Sequence, residues 1–170
     1  MPFKTSYNAA LGQPAFNLAG VDTVARVAIG RIERGFDDLL GEGEFIYLPG
    51  VAGTLAGDHV VFDLLPGAAT TARSTAGTAA NTGFPTAVAL VPVPLGSFGW
   101  FQISGVAIVN VVAGTVAGRA HLSATPGQLA SAATAGAQLL GARLSSAAGV
   151  PAAGQAYLTL TRPAVQSQIA

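Results

Sequence analysis

The sequence predicts an all-β fold: a small β-barrel or sandwich of about eight to ten short antiparallel strands, with residues 1–23 as an extended N-terminal arm and 24–170 as a single β domain. Three observations carry that expectation. Branched and aromatic residues come in short runs, often alternating with small or polar ones. Gly, Pro, Asn and Asp punctuate those runs. The 34 alanines and 22 glycines sit among Thr and Val rather than among the Leu, Glu, Lys and Gln that build helices.

Residues 1–23 have no clear period, and Pro2, Gly12, Pro14 and Gly20 keep them extended, so Phe3, Tyr7 and Phe16 need a surface to dock on. Ala25 to Glu33 alternates Val27 and Ile29 with smaller or charged neighbours and reads as a strand, broken at Gly35 and Asp37-Asp38. After a turn at Gly41-Glu42-Gly43, Glu44 to Leu48 forms the next strand, stopping at Pro49-Gly50. Asp58 to Asp63 follows and ends at Pro66-Gly67, and Ala68 to Gly83 reads as a loop or edge strand. Thr86 to Val93 is a strand; Phe98–Ile103 and Val106–Val111 flank Gly105 as a hairpin or a bulge. The last strands are Ala117–Ala124, Gln138–Ser145 and Gln155–Thr161. Gln128 to Leu144 accepts a helical template, but Gly136 and Gly141 interrupt it and Thr125-Pro126-Gly127 precedes it as a turn, which favours two strands.

An internal echo supports this reading. Val51-Ala52-Gly53-Thr54-Leu55-Ala56-Gly57-Asp58 returns as Val112-Ala113-Gly114-Thr115-Val116-Ala117-Gly118-Arg119, and Ala153-Gly154-Gln155 repeats its second half. Each predicts a glycine at positive φ launching a strand, with the polar residue after it facing out.

Charge limits the function classes. The chain carries 16 formal charges, 9% of its residues, against roughly 25% in soluble domains. All eight acids lie in the first 63 residues with four of the bases, making that segment −4 (4 − 8); Arg73, Arg119, Arg143 and Arg162 make the remainder +4. With no basic run and no acidic tail, nucleic-acid binding is not expected. Membrane insertion is not expected either, since Pro and Gly interrupt the uncharged stretch between Arg73 and Arg119. The N-terminus lacks an apolar run of signal-peptide type, so synthesis in a reducing cytoplasm is expected. There is no cysteine, hence neither disulfide nor thiolate chemistry.

No catalytic constellation emerges. His59 and His121 occupy neighbouring places in the echo, no nucleophile elbow exists, and no acid follows residue 63. Asp37, Asp38, Glu42 and Glu44 offer oxygen ligands without a calcium-loop spacing, so a solvated rim or an inter-subunit contact is favoured and no metal or cofactor is expected. Trp100 and Phe101, beside Phe98, read as packing in the core or at a subunit interface. Together with the arm aromatics and Arg119, they form the set of interface candidates: Phe3, Tyr7, Phe16, Trp100, Phe101 and Arg119. Arg119 stands where Asp58 stands in the echo, as if acidic and basic halves of adjacent copies set register.

The strings Ala28-Ile29-Gly30-Arg31-Ile32-Glu33-Arg34-Gly35-Phe36-Asp37, Gly43-Glu44-Phe45-Ile46-Tyr47-Leu48-Pro49-Gly50, Phe98-Gly99-Trp100-Phe101-Gln102-Ile103 and Pro151-Ala152-Ala153-Gly154-Gln155-Ala156 resemble the capsid decoration, or cement, proteins of tailed bacteriophages. The similarity spans roughly residues 24 to 163, and its Gly-Glu-Phe-Ile-Tyr-Leu string is more specific than its Ala-Gly turns. It implies a non-enzymatic homo-oligomer, a trimer ahead of a dimer, made in a bacterial host and bound to major capsid protein on the outside of an icosahedral head. Another virion β protein, from the tail or baseplate, and a carbohydrate-binding module using Trp100, Tyr47 or Tyr157 are the alternatives.

Overall fold

The computed structural model describes residues 4–5 and 17–167. It is 49% strand and 3% helix, so the all-β expectation holds. In chain order the elements are β1 (Lys4–Thr5), β2 (Val21–Asp22), β3 (Ile32–Asp37), β4 (Gly41–Pro49), β5 (His59–Asp63), β6 (Thr70–Arg73), α1 (Ala76–Ala79), β7 (Thr86–Ala89), β8 (Phe98–Asn110), β9 (Gly118–Leu122), β10 (Leu129–Ala130), β11 (Gln138–Leu144) and β12 (Gln155–Val165). The sheet runs β1-β3-β4-β8-β12-β11-β9-β10, with β2 and β7 also on β8 and the β5–β6 hairpin attached through β7. All these strand pairs are antiparallel, and the sheet curls into half a barrel.

The 13-residue β8 organises the rest. One edge pairs with β4 from Phe98 to Ser104. Its other partners follow in succession: β2 at Phe98 and Gly99, β7 at Phe101 and Gln102, β12 from Ser104 to Asn110. A register shift against β4 at Glu44/Phe45 marks a bulge near Gly105, at φ +93°. There Gln102 Nε2 donates to the carbonyls on either side of that glycine, Ser104 O at 3.0 Å and Val106 O at 2.9 Å. The Gln102 amide thus satisfies backbone acceptors beside the bulge, where the ladder is interrupted.

Burial explains why β4 reads as a continuous apolar run. Ile46 and Leu48 pack with Val60, Phe62, Phe101 and Ile103, whereas Phe45 and Tyr47 pack with Leu18 and Trp100. A strand covered on both faces has no polar side to show. A third cluster, including Val109, Leu122, Leu129, Leu144, Leu158 and Leu160, fills the curl beneath β8, β12, β11 and β9. Each such side chain contributes about 1.5–3 kcal/mol by leaving water.

Several strand limits differ from expectation. Residues 24–31 form no strand: Gly30 turns at φ +84°, and the ladder begins at Ile32. Gly35 does not break that strand but lies inside it, opposite Gly43. The hairpin turn is Asp38–Leu40, because Asp37 Oδ1 accepts from Leu39 N at 2.8 Å and Leu40 N at 3.0 Å. Residues 17–23, counted with the arm, belong to the domain: Leu18 is fully buried and β2 pairs with β8. Gly105 makes a bulge within one strand, not a hairpin. The stretch 68–83 holds the edge strand β6 and, unforeseen, the short helix α1, capped by Thr75. The two-strand reading of 128–144 holds.

A Cβ at Gly105 would lie 2.3 Å from Glu42 O, whereas one at Gly41, φ +78°, would meet nothing within 4 Å. Gly105→Ala is therefore expected to cost about 2–4 kcal/mol, and Gly41→Ala about 1–2 kcal/mol from backbone strain alone. Denaturant midpoints of the two variants check the difference; equal losses would mean that contact at the bulge is irrelevant.

Candidate functional site

Each echo opens with the same turn. Thr54 N and Oγ1 both donate to Val51 O, and Thr115 N and Oγ1 both donate to Val112 O, with Gly53 and Gly114 at φ +74° and +78°. The launching glycines, Gly57, Gly118 and Gly154, are at positive φ as expected. The polar residues after the first two diverge. Arg119 faces out, but Asp58 does not: it is 1% exposed. Its carboxylate accepts from Leu55 N at 2.9 Å and Asn110 Nδ2 at 3.0 Å and forms an ion pair with Arg73, Nε to Oδ2 2.8 Å. Burying a carboxylate costs several kcal/mol unless it is paired and hydrogen-bonded, and Asp58 is both.

The expected acidic cluster is divided in the same way. Asp37 is buried by capping its own turn. Glu44 is clamped at two points by Arg162, with Nε 2.9 Å from Oε2 and Nη2 3.2 Å from Oε1, and Arg34 approaches to 3.7 Å. The Arg162 hydrogen bond is the main cause that holds the Glu44 carboxyl below its usual range. Asp38 and Glu42 remain exposed at the turn. Among the described residues no group of three His, Asp or Glu is placed to hold a metal ion.

His59 is not set up to activate a nucleophile. His59 Nδ1 lies 2.7 Å from Ser74 Oγ, but the Ser74 hydroxyl donates its one proton to His59 O at 3.0 Å. The ring must then donate to the hydroxyl, the reverse of nucleophile activation. Burial pushes His59 down to about 3. His121 is lowered by burial and then by Arg119.

The aromatic interface candidates resolve differently. Trp100 and Phe101 are 3% and 0% exposed, so they are core rather than interface within this chain, because β4 and β8 are covered on both faces. Tyr47, stacked near Phe98 and 5.1 Å from Trp100, is buried too. Burial, then its hydrogen bond to Asp22, pushes its hydroxyl up to about 12. A sugar-stacking platform on Trp100 or Tyr47 is thus closed to solvent. Phe3, Tyr7 and Phe16 lie outside the described residues. Among the described members of the set Arg119 alone is exposed, and β11 places Arg143 directly opposite it. Sequence reasoning missed Arg143, since cross-strand register has no local signal.

What remains open is mostly apolar. A cavity of about 490 Å³ lies among Leu39, Leu40, Ala56, Leu90, Val91 and Ile108, with Gln102 also in its wall. Val24, Leu39, Leu55, Leu65, Leu95 and Val116 project from turns and loops, more than half exposed. No family model, curated protein or solved structure matches the chain.

The histidine makes a pH prediction. Folded His59 is neutral down to about 3, while the unfolded imidazole protonates near 6.5, so the unfolded state binds the extra proton between those values. Stability is full above about 6.5 and falls by about 1.4 kcal/mol per pH unit as pH drops through the window. His121 adds in the same direction. His59→Gln should be less stable at neutral pH yet show a flatter dependence in urea titrations from neutral to acid pH; an unchanged slope would contradict the assignment.

Proposed function

We propose that this chain is a capsid decoration protein of a tailed bacteriophage, which binds the outer surface of the icosahedral head and stabilises contacts between major capsid protein subunits without enzymatic activity. The observation that carries this reading is the surface: few free charges, and large apolar side chains displayed on turns, with Leu39, Leu95 and Val24 at 79%, 75% and 74% exposure. Such a surface binds by area rather than by a pocket. The sequence resemblance supports the same reading, although its most specific string, Gly43 to Leu48, builds the covered strand β4 and not the exposed turns. The working residues are therefore sought on the turns.

The mechanism is mass action. A protein that binds the assembled shell and not its dissociated subunits stabilises the shell by its binding free energy. Many copies on one particle multiply modest contacts into lasting occupancy.

The test uses empty heads assembled from the major capsid protein of a tailed phage whose genome encodes this chain. The purified protein is expected to sediment with intact heads and to raise the temperature at which they dissociate. Heads that lose integrity at the same temperature with and without saturating protein would overturn the reading.

A further inference from the structure

Among the described residues five internal ion pairs leave a remainder of charge that the topology sorts by sign. Asp22, Glu33, Glu44 and Asp58 are taken up by arginines of the same chain. Arg119 and Arg143 take part in none of these pairs, although they are exposed and directly opposed across β9 and β11. Like charges set opposite each other destabilise a sheet, so the pair calls for an anion from elsewhere. The exposed acids left over are Asp38 and Glu42, which flank the β3–β4 turn; Asp63 stands apart, partly buried at the end of β5.

The two poles cannot satisfy each other within one molecule. Along β4-β8-β12-β11 their nearest members, Glu42 and Arg143, are three strand steps apart, about 14 Å at 4.8 Å per step, still beyond a screening length of about 8 Å. Each pole also carries apolar area. Leu39, 79% exposed, lies between the two acids; Val116 and Leu140, at least half exposed, lie three residues before Arg119 and Arg143.

We propose that the chain self-associates head to tail, the acidic β3–β4 turn of one copy seated on the Arg119–Arg143 pair of the next. Charge complementarity selects a second copy as the occupant. A twofold axis through either pole would set like charges against like, whereas contact between the two different patches satisfies both and closes into a ring where the rotation permits. The inference goes beyond the shell reading and does not depend on it.

The test needs only the purified full chain, by sedimentation velocity at low and high salt. The wild type is expected to associate in a concentration-dependent way that weakens with salt. Arg119→Glu with Arg143→Glu, and separately Asp38→Arg with Glu42→Arg, should each weaken association by about tenfold or more. An equimolar mixture of the two double variants should associate again, because each then offers the pole that the other needs. That recovery also shows both variants are folded. A wild type that stays monomeric at low salt, or variants that associate as it does, would overturn the proposal. So would variants that keep wild-type association and lose only binding to heads, which would assign the arginines to capsid protein instead.

Discussion

The whole sheet depends on β8 being able to change partners without leaving a hole. Its first half is walled by β4 on one side and by β2 and β7 on the other, and its second half is held by β12. Passing from one set to the next requires a bulge, and a bulge strands backbone acceptors. Gln102 resolves this with one amide group, which donates to both carbonyls around Gly105. Glycine is needed there because the β4 backbone passes too close for a side chain. Without that brace, the two-sided core around Trp100 and Phe101 and the curled core under Val109 and Leu158 would belong to separate sheets.

Much of this architecture was legible in the sequence because it is local. The Pro49-Gly50 stop, the Thr125-Pro126-Gly127 turn and the repeated Val-Ala-Gly-Thr turns are set by backbone preferences of a few residues, and they appear where expected. What was not legible depends on long-range register. Gly35 and Gly105 are indistinguishable in sequence from turn glycines, yet one lies flat opposite Gly43 and the other bends a strand. Asp58 has the look of an exposed polar residue, but Arg73 and Asn110, 15 and 52 residues away, make its burial tolerable. Arg143 gains meaning only through its place opposite Arg119.

The same economy of charge separates structure from surface. Arg73 and Arg162 neutralise acids of the first 63 residues, so half of the late arginines are consumed inside the molecule, one locally and one across most of the sequence. The Glu44–Arg162 clamp spans 118 residues, and its exposure keeps its energetic share small. Its value lies in fixing where β12 lies against β4 and β8. The aromatic residues follow a parallel division, with Tyr47, Trp100 and Phe101 spent on the interior and leucines and valines left on the turns.

The position of β12 has a consequence for how the chain is made. The last strand in order is inserted between β8 and β11, near the middle of the sheet. While a ribosome is still adding residues before 155, the second half of β8 has an open apolar edge with no partner to close it. Strands in that condition template non-native pairing. The sheet therefore cannot close until its last strand has been added, and in that interval edge-to-edge pairing competes with folding.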